Sequence, residues 1–185
     1  MSEKIKILGI SGSLKQKSFN KFALEAAKSL VPANVEIDIL KLDGIPLFSE
    51  DIESNPNSAV INLRQKIKDS DAIVFATPEY NASITGVLKN AIDWASRPYG
   101  SNIFSKKPVA IFGVSIGMMG TIRAQSHLKQ ICSILDAYVL SQPEVFIGNA
   151  PDKFDSNGVL VDKGTKDRIQ VLLKSLTELV LTVKK

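Results

Sequence analysis

The chain has 185 residues, 44% hydrophobic and 23% charged, a length and balance that suit one globular domain with a sizeable core. Its single cysteine, Cys132, leaves no internal disulfide or multi-thiolate metal cage, and its single histidine, His127, argues against a histidine-based zinc site or a conventional triad. The formal charge of +4 comes from dispersed lysines, and 6% aromatic residues offer no stacking platform for nucleic acid, so the excess charge reads as solubility plus attraction for small anions.

The opening MSEKIKILGISGS runs straight into a strand pattern, without the longer apolar core and small-residue cleavage site of a signal peptide. No apolar run approaches the ~20 residues of a membrane span, and the expectation is a cytoplasmic protein. Residues 4–10 (KIKILGI) form a β-rich run that ends in a Gly/Ser loop, and from position 20 to 30 Phe22, Ala23, Ala26, Ala27 and Leu30 recur at helical spacing. Residues 35–42 alternate apolar and charged, the period of a half-buried strand. Residues 43–57, with Gly44, Pro46 and Pro56, read as a long loop, 58–68 as a helix and 72–77 as a buried strand. After a polar turn a helix opens at about Ile84, with Val87, Leu88, Ala91, Ile92 and Ala95 on one face. Pro108–Val114 is a fully apolar strand, and Ala124, Leu128, Ile131 and Leu135 mark the next helix. Residues 138–140 make a short fifth strand with 144–147 as its continuation. A final helix from about Lys163 carries a broad stripe that includes Ile169, Leu172, Leu176 and Val180.

Strands thus alternate with helices, and the first, third and fourth strands are near-continuous apolar runs, the marks of a parallel sheet covered on both faces. The pattern predicts a doubly wound α/β fold in one domain, 1–185; a TIM barrel would need eight such units. In open sheets of this kind ligands bind outside the carboxyl ends of the strands, where three loops stand out.

The first, 9–20 (GISGSLKQKSFN), joins glycine, the hydroxyls of Ser11, Ser13 and Ser18, the charges of Lys15 and Lys17, and a helix start with Asn20 as its expected N-cap. Unpaired N–H groups and the helix dipole at such a start favour an anion, so the loop suits a phosphate monoester or simply caps the helix. It matches neither a nucleoside-triphosphate P-loop nor a dinucleotide fingerprint. The second, 77–83 (TPEYNAS), is stiffened by Pro78; its N–H groups and the Asn81 amide could address the edge of a planar heterocycle, with Tyr80 as a wall. Glu79 could serve as acid or base, but no second carboxylate or histidine accompanies it here, which favours a helix-start charge or an ion pair. The third, 115–121 (SIGMMGT) followed by Arg123, has two glycines that either admit a ligand close to the backbone or merely turn the chain. Cys132 lacks the phosphate loop of a small tyrosine phosphatase and reads as packing. His127 reads as surface or interface, and Trp94 as core or a subunit contact.

Together GSLKQKSFN, PEYNASITGVLKNAIDW and SIGMMGTIRA resemble, in order and spacing, the motifs of the NAD(P)H-dependent FMN reductases, flavodoxin-like proteins that include quinone, azo-dye and chromate reductases. The resemblance implies a five-stranded flavodoxin-like sheet in the order 2-1-3-4-5, bound FMN, NADPH or NADH as co-substrate, small-molecule electron acceptors, and a homodimer or homotetramer. Carried over by position, Ser11, Ser13, Leu14, Lys15, Ser18, Phe19 and Asn20 would surround the FMN phosphate and ribityl chain. Pro78, Glu79, Tyr80, Asn81 and Ser83 would line the isoalloxazine, as would Ser115 and Gly117. The flavin itself carries the chemistry, so no catalytic side chain and no metal is expected. Lys15 stands where the family has arginine, Ala82 and Met119 where it has glycine, and Thr85 where it has proline. The alternatives are a flavodoxin-type electron carrier, against which the basic charge and the GSLKQKS loop argue, and an FMN-binding regulatory protein.

Overall fold

The computed structural model describes residues 4–184; the first three residues of the opening segment and position 185 of the single-domain reading lie outside the described residues. In chain order the elements are β1 (Ile5–Ser11), α1 (Phe19–Ala27), β2 (Val35–Leu40), α2 (Ser58–Asp69), β3 (Ala72–Ala76), α3 (Gly86–Ser96), β4 (Pro108–Val114), α4 (Ile122–Ile134), β5 (Tyr138–Val139), β6 (Val145–Ile147) and α5 (Lys163–Val183). Every ladder is parallel, and the sheet runs β2-β1-β3-β4-β5 with β6 also paired to β4.

The strand sequences explain the layering. Every residue of β3 and β4 is buried, and on β1 only Lys6 is exposed, because both faces carry helices. Side chains alternate between two cores. Ile5, Ile7, Val74, Ala76, Ala110 and Phe112 face α1 and α5, whereas Leu8, Ile10, Ile73, Phe75, Val109 and Ile111 face α2, α3 and α4. The last helix closes the first core with Ile169, Leu172, Leu173, Leu176 and Val180. Among the described residues no helix is long and apolar enough to cross a membrane, and no group of three or more His, Cys, Asp or Glu could hold a metal ion.

The expected five strands become six. Residues 140–144 stand against only Ala110 and Ile111 of β4, so the edge strand cannot continue in register and loops away before rejoining at Val145. Pro143, which has no N–H to give the ladder, sits inside that excursion. Trp94 resolves to core. It is buried, its indole N–H donates to Pro46 O at 2.8 Å, and its ring meets Phe48 edge-on. Cys132 is also core, and burial pushes its thiol up to about 12.

The winding direction reverses at β1. The chain goes from β1 to β2 on one side and then crosses to β3 on the other. The carboxyl ends of β1, β3 and β4 therefore release the three loops side by side at the switch point, where a crevice opens.

Candidate functional site

The first loop is locked to the second from its start. Gly12 N–H donates to Ala76 O at 2.9 Å, and Thr85 Oγ1 donates to Gly12 O at 2.7 Å. A Cβ at Gly12 would lie 3.1 Å from the Pro78 ring, so glycine is what lets the two loops touch. Ser11, Ser13 and Ser18 are buried, while Leu14 and Lys15 are exposed. Ser13 Oγ accepts the Lys15 N–H at 3.2 Å. Ser11 ends β1 on the face that α1 covers, and its buried hydroxyl has no hydrogen-bond partner among the described residues. Ser18 is the N-cap of α1, yet its side chain makes no capping bond, and the first turn holds no acidic residue. A buried hydroxyl without a partner and a helix start without a cap meet at one place. That combination fits an anion.

Asn20 does not cap α1 as expected. Its amide reaches β4 instead, accepting Val114 N–H and donating to Val114 O, both at 2.9 Å. Val114 ends β4 and has no strand partner for those groups on that side, so the Asn20 side chain completes the ladder and ties the first loop to the third. Phe19 is half-buried with its ring against Phe22 and Phe154, so its side chain serves the aromatic cluster between α1 and the chain after β6.

The second loop is a tight turn in which Tyr80 and Ser83 exchange two backbone hydrogen bonds of 3.0 Å, with Asn81 (φ 51°) and Ala82 (φ 61°) left-handed at its tip. Pro78 is buried, Asn81 is exposed, and the Tyr80 ring is 59% exposed. Glu79 acts on a helix start, as expected, but on α4 rather than on the helix that follows it. Its Oε2 accepts the N–H groups of Arg123 (3.0 Å) and Ala124 (3.1 Å), and its Oε1 lies 3.6 Å from the Arg123 guanidinium. The need arises because Thr121, the N-cap of α4, is left-handed (φ 67°) and offers no side-chain cap. Ser83 Oγ lies 3.0 Å from His127 Nδ1 on the exposed side of α4.

The third loop is held by the chain after β6. Ser115 exchanges bonds with Ile147 and Ala150, and Gly117 O accepts Asn149 N–H at 3.1 Å. Gly113 is required at the root, since a Cβ there would overlap Thr121 Oγ1 and Thr77 O. Gly120 (φ 59°) is required at the end, where a Cβ would meet Ile147 N at 2.6 Å. Ser115 is half-buried and Gly117 exposed, with Gly117 N–H turned to Ser115 Oγ at 3.0 Å. Ile116 and Met118 are 75% and 79% exposed. The rim is thus an open shelf with the uncapped start of α1 at one end and the second and third loops at the other. The concavity of about 470 Å³ lined by Lys6, Glu36, Asp38 and Lys66 lies beside α2, away from all three loops, and offers salt-bridged side chains rather than backbone donors.

The family described as NADPH-dependent FMN reductase matches residues 5–152. The chain belongs to that family. It is 49% identical over 177 residues to an NAD(P)H-dependent FMN reductase of Pseudomonas aeruginosa, covering 95% of each chain. It is 41% identical to a 2-hydroxy-1,4-benzoquinone reductase of Burkholderia, covering 91% of this chain and 92% of the other. A flavoenzyme NAD(P)H:acceptor oxidoreductase from Paracoccus denitrificans superposes with a TM-score of 0.88 at 30% identity, over 96% of this chain and 98% of that one. The fold is flavodoxin-like, with the additional edge strand β6.

The structure also accounts for departures from the family pattern. Thr85, in place of proline, caps α3 by accepting Leu88 N–H at 3.2 Å while its hydroxyl holds Gly12 O. Ala82, in place of glycine, carries a left-handed backbone at a cost of about 1–2 kcal/mol. Met119 is exposed, so its side chain does not narrow the loop. The sequence reading had no place for Thr85 as a clamp or for Asn149 as a support of the third loop. The Thr85–Leu88 spacing is a capping signal that could have revealed the first; nothing local signals the second.

Proposed function

We propose that this single-domain chain, 1–185, is an FMN-dependent oxidoreductase that passes hydride from NADPH or NADH to quinones and other small acceptors at the three-loop rim. Membership in the NADPH-dependent FMN reductase family supplies the cofactor and the co-substrate. The observation that carries the placement is the partnerless Ser11 hydroxyl beside the uncapped start of α1, which suits a phosphate. Ser11, Ser13, Leu14, Lys15, Ser18, Phe19 and Asn20 form the phosphate and ribityl end. Pro78, Glu79, Tyr80, Asn81, Ser83, Ser115 and Gly117 form the ring end.

FMN held by these residues would supply the redox chemistry, accepting hydride from the nucleotide and passing two electrons on to the acceptor. The residues do the rest. The first loop would anchor the phosphate charge, Thr85 holds the turn to Gly12 and Glu79 holds it to α4, and the second and third loops would offer the ring those backbone N–H groups not paired within the protein. Nucleotide and acceptor would occupy the open shelf in turn, as ping-pong turnover requires. Quinones, azo compounds, metal oxyanions and free flavins fit such a shelf. The expected setting is the cytoplasm, and the expected assembly a homodimer or homotetramer.

The test is steady-state kinetics of FMN-saturated protein with both nucleotides against a panel of acceptors. Parallel double-reciprocal lines support the reading; no oxidation of either nucleotide with any quinone or ferricyanide defeats it. Stopped-flow mixing with NADPH separates it from an electron carrier, which would be reduced only through a partner reductase.

A further inference from the structure

The second loop touches α4 at two points one helical turn apart. Glu79 takes the N–H groups of Arg123 and Ala124, and four residues further along each chain Ser83 meets His127. The span from 123 to 127 is about 6 Å of helix rise. The left-handed pair Asn81–Ala82 is the tip between the two clamps. α4 therefore acts as a ruler that fixes both ends of the turn, and a tip in an unfavourable backbone region needs such over-determination to persist. His127 is on the exposed side of α4, at the mouth of a groove between α3 and α4 lined by Ile84, Lys89 and Ile131, so burial does not explain its contact with Ser83.

We propose that His127 is a positioning residue for the flavin site, acting through Ser83 to fix the turn and the direction of the Ser83 hydroxyl hydrogen. This rests on the reading of the rim as the FMN site. A hydroxyl is one donor and two acceptors, and the partner decides which is spent. If Nδ1 accepts, the Ser83 hydrogen is committed to the imidazole and only a lone pair remains for the ring. If Nδ1–H donates, the hydrogen is free to donate to the ring. Either way the imidazole sets the polarity that Ser83 shows, and hence the relative affinity of the site for oxidised and reduced FMN.

The experiment compares wild type, Ser83→Ala, His127→Ala, His127→Asn and the Ser83→Ala/His127→Ala double variant as FMN-loaded proteins. Fluorescence titration gives the FMN dissociation constant and spectroelectrochemistry the midpoint potential, with apoprotein melting as the control for folding. His127 is exposed, so its variants should melt within about 2 °C of wild type. Ser83→Ala and His127→Ala should shift the potential in the same direction, by about fivefold in the affinity ratio or about 20 mV for a two-electron couple. The double variant should match Ser83→Ala, and His127→Asn should recover most of the shift. A silent His127→Ala beside a shifted Ser83→Ala, or additive shifts, overturns the inference and leaves the flavin site standing. A silent Ser83→Ala overturns it as well, because Ser83 then does not meet the ring. Failure of wild type to bind FMN removes the underlying reading and this inference with it.

Discussion

Replacing Asn20 isolates the strut between the first and third loops. Asn20 and Val114 are each 3% exposed, and both Val114 backbone groups are bonded to the Asn20 amide. Asn20→Ala leaves a buried N–H and a buried C=O without partners, at about 1–3 kcal/mol each. The expected loss is about 2–6 kcal/mol. At about 2–4 °C per kcal/mol for a chain of this size, the apoprotein should melt on the order of 10 °C lower. Asn20→Asp separates the two bonds. One carboxylate oxygen still accepts Val114 N–H, but the other faces Val114 O with no hydrogen between them. Burial and that repulsion raise the carboxyl above its ordinary value of about 3.9, because the protonated form can donate to Val114 O. A raised folded-state value means stability held below the unfolded value and lost as pH rises through the folded one. The gap between wild type and Asn20→Asp should therefore widen from pH 4.5 to pH 8. Thermal melts of the apoproteins across that range give the answer. An Asn20→Ala protein within about 2 °C of wild type, or a gap that narrows with rising pH, would refute the strut.

Other expectations concern the same scaffold. Gly113→Ala should fail to fold or lose more than about 3 kcal/mol, because neither Thr77 O nor Thr121 can yield, whereas Gly117→Ala, with nothing nearer than 3.5 Å, should melt close to wild type. Ser11→Ala should leave the apoprotein as stable or slightly more stable, since a buried unpaired hydroxyl is removed, while FMN affinity falls by at least about tenfold; paired melts and titrations read both. Hydrogen bonds from the Thr165 hydroxyl and N–H hold the Asp162 carboxyl below its ordinary value at the start of α5. Wild type should therefore exceed Asp162→Asn in stability above about pH 4, and that advantage should vanish as pH falls through the lowered folded value. Cys132, pushed up to about 12 by burial, should resist thiol reagents at pH 8 until the chain unfolds, so that labelling and loss of circular dichroism run together.

What the sequence made legible was whatever is written locally. Parallel strands buried on both faces announce themselves as unbroken apolar runs, and β1, β3 and β4 fell where those runs lie. A charged residue at the head of a helix is equally visible, and the helix-start reading of Glu79 survives. Its partner did not show, because Arg123 lies 44 residues away and becomes a neighbour only once β3 and β4 pair. Asn20 failed for the same reason. Its position just inside a helix start matches a cap, and nothing nearby reveals that Val114, 94 residues on, lacks a ladder partner. The edge strand failed on register: 138–147 reads as one interrupted β run, and only the count of residues opposite β4 shows that it must break in two. The departures from the family pattern could be seen as letters but not as consequences; that Thr85 clamps two loops depends on where Gly12 O points.

The exposed side chains of Tyr80, Ile116 and Met118 project from loops held by backbone bonds: the Tyr80–Ser83 pair in the second loop, and Ser115 to Ile147 and Ala150 with Gly117 to Asn149 in the third. Substitution there leaves the scaffold's own contacts untouched while changing what an incoming molecule meets. On the proposed reading of the rim, selection or a directed library confined to these three positions would retune which oxidants are welcomed without drawing on the margin that keeps the chain folded.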